Sequence, residues 1–131
     1  MNLNYSQTSG QMTQDDGTLV ATGFSGNNSR PGVNPNHLQG MNNPEMQSVH
    51  CIGPLPQGTY SVGPWGPHSE LGPNSAALTQ TSGETYGRDG FYIHGPGEND
   101  PENSSEGCIV IGHDERIAVM NLAPDQITVT A

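Results

Sequence analysis

The sequence predicts a mainly β fold, a small sandwich or partly closed barrel with one short helix near the C-terminus, formed as one domain over residues 1–131. Three observations carry that expectation. Apolar residues fall in short alternating or continuous runs, the pattern of strands rather than of long helices. Turn formers punctuate those runs, with 18 Gly and 11 Pro in the chain. Only the stretch after His113 sets apolar residues at helical spacing before a clear stop signal. With 31% apolar residues, a chain of 131 residues supports one small core and long loops.

Residues 2–7 alternate Leu3 and Tyr5 with polar neighbours, as a half-buried strand does. Gln14-Asp15-Asp16-Gly17 is a turn signal, and Thr18 to Phe24 reads as the second strand of a hairpin. Residues 26–53 are dense in Asn, Pro, Gly and Ser and read as a solvated loop. Inside it, Asn43-Pro44-Glu45-Met46-Gln47 suits one helical turn, with Asn43 as cap and Pro44 in the first position. A stiff approach from Gly53 to Gly58 feeds a strand over Thr59–Val62. Trp65, the single Trp, reads as a loop anchor. Ala76–Thr81 is a further strand, 82–87 a turn, and Gly90–His94 the central strand. A helix opens at His113-Asp114 with Asp114 as cap, carries Ile117, Met120 and Leu122, and stops at Ala123-Pro124. Ile127–Thr130 closes the sheet, and no repeat of fixed period appears.

Charge excludes several function classes. The net charge is −10, with three Arg and no Lys. Backbone neutralisation of nucleic acid and attraction to anionic lipid are both disfavoured. No run of apolar residues is long enough for a membrane span, so no membrane insertion is expected. The opening residues MNLNYSQTSG lack a basic segment followed by an apolar one, so no secretory signal is expected.

Chemistry concentrates between Arg88 and Gly112. The apolar run Phe91-Tyr92-Ile93 ends on His94-Gly95. A polar, acidic loop then closes on Ser105-Glu106-Gly107-Cys108, and Ile109-Val110-Ile111 begins at once. Two strands thus deliver His94 at the end of one and Cys108 at the start of the other. A free thiol, with a pKa of about 8.5, is mostly protonated at neutral pH. An imidazole within reach can take that proton. Gly107 and Gly95 allow close approach of substrate, and N–H groups around Gly107 and Cys108 suit an oxyanion hole. The partner for the second ring nitrogen of His94 is open among a carbonyl near Gly95 and the hydroxyls of Ser104 and Ser105.

Arg88 and Arg116 are candidates to orient a substrate carboxylate, with structural ion pairs to the many acids as the competing role. The loop acids Glu98, Asp100, Glu102 and Glu106 oppose thiolate formation, and by composition they keep the loop solvated or attract a substrate ammonium. Cys51 and Cys108 are expected as two free thiols, Cys51 structural and Cys108 the one that alkylates faster at neutral pH. The alternative, a bridge between them, would block the nucleophile. A zinc site of Cys108, His113 and His94 has weak spacing, so no metal and no cofactor are expected.

The His-Gly, loop, Ser-x-Gly-Cys arrangement resembles the signature of L,D-transpeptidases. Three blocks in the same order resemble more closely the small L,D-transpeptidase effectors of type VI secretion. They are Gly53-Pro54-Leu55-Pro56-Gln57-Gly58-Thr59-Tyr60, Gly87-Arg88 through His94-Gly95, and Ser105-Glu106-Gly107-Cys108-Ile109. Gly23-Phe24-Ser25-Gly26 and Asn42-Asn43-Pro44 resemble that family too. Where the wider group has His between Ser and Gly, this chain has Glu106, which leaves His94 as the base of the motif.

The resemblance implies an L,D-transpeptidase-like β-rich domain with the Cys at a strand end beside a groove. It implies action on the tetrapeptide stems of peptidoglycan, cleaving before the terminal D-alanine or exchanging that residue. It further implies delivery by the secretion machinery into a target cell's periplasm and a cognate immunity protein in the producer. The reading of another class is a non-catalytic wall-binding or structural β-domain that retains the motif.

Overall fold

The structure is a computed structural model that describes residues 1–97 and 103–131. Its strands are β1 (Asn2–Ser6), β2 (Gln11–Gln14), β3 (Leu19–Thr22), β4 (Phe24–Ser25), β5 (Gly58–Val62), β6 (Gly66–His68), β7 (Gly72–Gly83), β8 (Phe91–His94), β9 (Ile109–Val110) and β10 (Gln126–Thr130). One helix, α1 (His113–Leu122), and a 3-10 turn at Pro44–Met46 complete the described elements. The expected mainly β fold with a short helix near the C-terminus is what forms.

The hydrogen-bonded strand path runs β3-β2-β1-β10-β5-β7-β8-β9-β4, with β6 paired to β7 off the path. Its two ends, β3 and β4, are one stretch of chain parted only by Gly23. The Gly23 N–H donates to the Gly10 carbonyl at 2.8 Å. The sheet therefore curls until its edges almost meet, which makes the barrel-like of the two expected forms. The terminal strands β1 and β10 pair in parallel, Leu3 opposite Ile127 and Tyr5 opposite Val129. All four side chains are buried, as alternation along both strands requires.

The same alternation fills the interior with Met12, Tyr60, Leu78, Phe91, Ile93, Ile109 and Ile111. Tyr60 and Phe91 meet edge to face at 6.0 Å. Trp65 packs against the core from its loop, half-buried. Among the described residues, no helix is long and apolar enough to cross a membrane.

Four local expectations are corrected. The 18–24 stretch is broken at Gly23, and its hairpin partner is β2, unread in the sequence because Gln11–Gln14 is nearly all polar. β6 was likewise hidden in a Gly/Pro run, and it pairs with the early part of β7. Asp114 lies in the first turn of α1, while Gly112 holds the cap position with no side-chain hydrogen bond. The inward face of α1 is Arg116 and Val119, with Ile117, Met120 and Leu122 only half-buried.

The 26–53 loop is also less solvated than its composition suggests. Asn27 and Asn34 are buried. The Asn27 amide donates to the carbonyls of Cys51 and Ser105, each at 2.8 Å. Asn34 donates to the Leu38 carbonyl at 2.8 Å and accepts from the Leu38 N–H at 2.9 Å. Side-chain amides take the place of a sheet ladder, satisfying backbone groups that irregular chain leaves open. The expected turn at Pro44 forms with Asn43 as its cap.

Candidate active site

The floor of the site is the pair β8 and β9. They run parallel, Ile93 opposite Ile109 and His94 opposite Val110. Ile93 and Ile109 anchor this floor in the core. That register sets His94, the last residue of β8, opposite Val110, two positions along from Cys108, which precedes β9. The side chains of His94 and Cys108 line one pocket, together with Gly90 and Tyr92 of the floor.

A tight turn before β9 presents Cys108. Ser105 is fully buried, and its hydroxyl donates to the Cys108 carbonyl at 2.6 Å. The same oxygen accepts from the N–H groups of Gly26, at 2.9 Å, and Gly107, at 3.1 Å. Ser105 thus shapes the turn and does not orient His94. The N–H of Gly107 is engaged inside the turn, so in this arrangement it is not aimed at an oxyanion. Gly107 has φ +126, and a Cβ there would run into the Arg88 guanidinium. Only glycine fits that position.

The blocks singled out in the sequence converge on this turn. Ser25 is buried, donates to the Gly107 carbonyl at 3.2 Å and accepts from the Leu55 N–H at 2.7 Å. Arg88 is 5% exposed. Its guanidinium donates to the carbonyls of Gln47, Gly53, Pro54 and Glu106, and sits 5.6 Å from the Phe91 ring centre. It clamps the Gly53-Pro54 segment to the nucleophile turn. Neither Arg88 nor Arg116 forms an ion pair among the described residues. The competing expectation of structural ion pairs is therefore replaced by bonds to carbonyls.

His94 is 3% exposed. Its Nδ1 lies 2.8 Å from the Gly95 carbonyl oxygen. A carbonyl only accepts, so Nδ1 carries the hydrogen and Nε2 keeps its lone pair. Of the open partners for the ring, the structure selects the Gly95 carbonyl. Burial holds the His94 pKa below the ordinary 6.5, against the Gly95 hydrogen bond, while Arg116, Arg30 and His68 add to the depression. The ring is neutral at pH 7 and able to accept a proton.

Cys108 is a neutral thiol at rest. Burial pushes its pKa up to about 11, against a Tyr92 N–H that hydrogen-bonds the sulfur. Glu106 raises it further, while Arg88 and Arg30 lower it. Its Sγ donates to the Gly90 carbonyl at 3.7 Å rather than to His94. The arrangement is a thiol and a bare imidazole nitrogen in one pocket, not a preformed ion pair.

The opposite wall is loop. It holds Arg30, Cys51, Ser104 and Glu106, with His68, Glu70 and Leu71 closing one end from the β6–β7 hairpin. Arg30 and Glu106 pair at 3.2 Å. His68 meets the Tyr92 ring at 4.9 Å. Arg30 and His68 were passed over in the sequence, because single polar residues in Gly/Pro-rich stretches carry no periodicity. Both thiols are free, but Cys51 is exposed in this pocket and not a buried structural residue. Cys51 is the exposed thiol and Cys108 the buried one, an accessibility opposite to the one that faster alkylation of Cys108 needs.

Arg116 and His113 line a second pocket with Gly95, and Cys108 is absent from it. The Cys108-His113-His94 metal arrangement therefore does not assemble, and no cluster of three or more ligating side chains occurs among the described residues. Of the loop acids, Glu98, Asp100 and Glu102 lie outside the described residues, and Glu106 is the one placed in the pocket.

No curated protein matches the chain. A family model described as the Tlde1 domain matches residues 20–129, a span that holds His94, Cys108 and every block that braces the Cys108 turn. The chain belongs to the Tlde1 domain family, the L,D-transpeptidase effectors of type VI secretion.

Proposed function

We propose that this protein is an antibacterial effector that cleaves or exchanges the fourth residue of peptidoglycan tetrapeptides through a cysteinyl acyl-enzyme. The observation that carries the reading is the pairing of a neutral, Nε2-unprotonated His94 with Cys108 in one pocket on adjacent strand ends. Family membership supports the substrate class and the route of delivery.

In the reaction, His94 Nε2 takes the Cys108 proton as sulfur attacks the carbonyl before the terminal D-alanine. The tetrahedral oxyanion calls for backbone N–H donors at the pocket other than that of Gly107, which the turn engages. Its collapse breaks the C–N bond, and the imidazolium returns the proton to the departing amine. Water or a free D-amino acid then resolves the thioester, giving carboxypeptidase or exchange products. Burial of both groups favours neutral partners before attack, so the proton moves only when substrate is present. The protein acts in the target periplasm, and a cognate immunity protein protects the producer by occupying the groove.

Expression with a periplasmic signal sequence tests the reading. Growth should stop and tetrapeptide stems should shorten to tripeptides or gain exchanged residues. Cys108→Ala should restore growth and the muropeptide profile. Undiminished toxicity of Cys108→Ala with unchanged muropeptides would leave a non-catalytic wall-binding module.

A further inference from the structure

Arg116 is an unusual buried cation. It is 5% exposed, on the inward face of α1. Its Nη1 donates to the Ile111 carbonyl at 2.7 Å. Its Nε is buried with no hydrogen-bond partner among the described residues. No carboxylate pairs with it among the described residues, although the chain holds 13 Asp and Glu against three Arg. Arg88, by contrast, spends its donors on four carbonyls, and Arg30 has Glu106. Burying a charge without a counter-ion is costly, and its usual resolution is a paired anion.

Space for that anion exists. Arg116 lines a pocket with Glu70, Leu71, Gly95, Pro96 and His113. A third hollow, lined by Arg30, His94 and Gly95, shares Glu70 and Leu71 with both the Arg116 pocket and the Cys108 pocket. The three are stations of one groove that passes His94. Gly95 makes the junction possible, because a Cβ there would collide with the Arg116 guanidinium.

We propose that the Arg116 end of this groove is a subsite for an amino-acid α-carboxylate. The guanidinium fork matches a carboxylate in two parallel hydrogen bonds. Glu70, the carboxylate in the same pocket, opposes a bare anion and suits the ammonium of a zwitterion. Two sources share this chemistry: the terminal carboxylate of the departing residue, and that of a free amino acid arriving to resolve the thioester. The assignment to an amino acid rests on the acyl-transfer reading, but binding of the carboxylate does not require turnover.

The test measures binding of D-alanine and D-alaninamide to the wild-type protein by ligand-observed NMR. The acid should bind at least roughly tenfold more tightly than the amide, about 1.4 kcal/mol. Arg116→Gln should erase the difference, and Arg116→Lys should keep part of it. Equal binding of acid and amide, or full binding by a folded Arg116→Gln, would overturn the subsite. If Arg116→Gln does not fold, the wild-type comparison of acid with amide decides alone. Turnover separates the sources. Amidating the tetrapeptide terminus should slow cleavage if the departing residue binds there. Replacing D-alanine by D-alaninamide should slow exchange if the acceptor does. Absence of turnover with intact acid binding would defeat the acyl-transfer reading and leave the carboxylate site standing.

Discussion

The two walls of the Cys108 pocket are built by opposite means. The strand wall, β8 and β9, is fixed by a parallel ladder over Ile93 and Ile109, both buried. The loop wall is fixed by side chains reaching backbone groups: Asn27 to Cys51 and Ser105, Ser25 to Gly107, Arg30 to Asn103 at 2.7 Å. Apolar burial fixes the floor that carries His94, while hydrogen bonds from Ser105, Ser25 and Arg88 fix the turn that presents Cys108. Polar networks hold what surrounds them. Ile93 and Ile109 share their burial with the rest of the core, whereas each buried amide or guanidinium satisfies several carbonyls at once and fails as a unit.

The two walls should therefore fail in different ways. On the strand wall, His94→Ala should lower turnover by about 10² to 10⁴ while leaving the fold intact. Assays on the purified variant, with circular dichroism as control, check both parts. Full activity would remove His94 from the base role.

Arg88→Ala should destabilise the protein by about 3–5 kcal/mol, because four carbonyls lose their donor together. Arg88→Lys should recover only part of this, since an ammonium cannot reproduce the planar fork. Asn27→Ala should cost about 2–3 kcal/mol through its lost bonds to Cys51 and Ser105. Urea unfolding measures all three. A cost for Asn27→Ala below about 0.5 kcal/mol, typical of an uninvolved surface site, would mean that the loop wall is solvated after all.

The pH response reports on the two reacting groups of the strand wall. Because the folded pKa of His94 lies below 6.5, the folded protein resists protonating it. The associated stability is present above about 6.5 and is lost as pH falls through the lower folded value. The acid limb of kcat/KM should therefore fall with an apparent pKa under 6.5. At the other extreme, alkylation of Cys108 should still be rising at pH 9, since its thiol pKa is raised to about 11. A plateau reached below pH 7 would indicate a resting thiolate and contradict the neutral pair. The smallest effect belongs to Cys51→Ala, which should change turnover by no more than about twofold, as for a surface residue outside the chemistry. In the resting protein it should remove the faster-alkylating thiol.

The strand wall was legible in the sequence and the loop wall was not. Phe91-Tyr92-Ile93 and Ile109-Val110-Ile111 announce strands by composition, and the residues flanking them are His94 and Cys108. Leu3, Tyr5, Ile127 and Val129 betray the terminal pair by alternation. No such period marks Ser25, Asn27, Arg30 or His68, whose roles arise only when distant loops meet. Polar composition gives the same signal for a solvated loop as for one cored by buried amides. Arg116 was read as a candidate by its residue type, but its burial on the inner face of α1 runs against the apolar spacing around it.

Acyl transfer through Cys108 requires that its Sγ, and no other atom, carry the acyl group. Tetrapeptide incubated with the protein, quenched in acid, digested and mapped by mass spectrometry would locate it. The expected result is a thioester-linked tripeptide adduct on Cys108, lost in Cys108→Ala together with turnover and retained in Cys51→Ala. An adduct on Cys51, or turnover by Cys108→Ala at the wild-type rate, would contradict it.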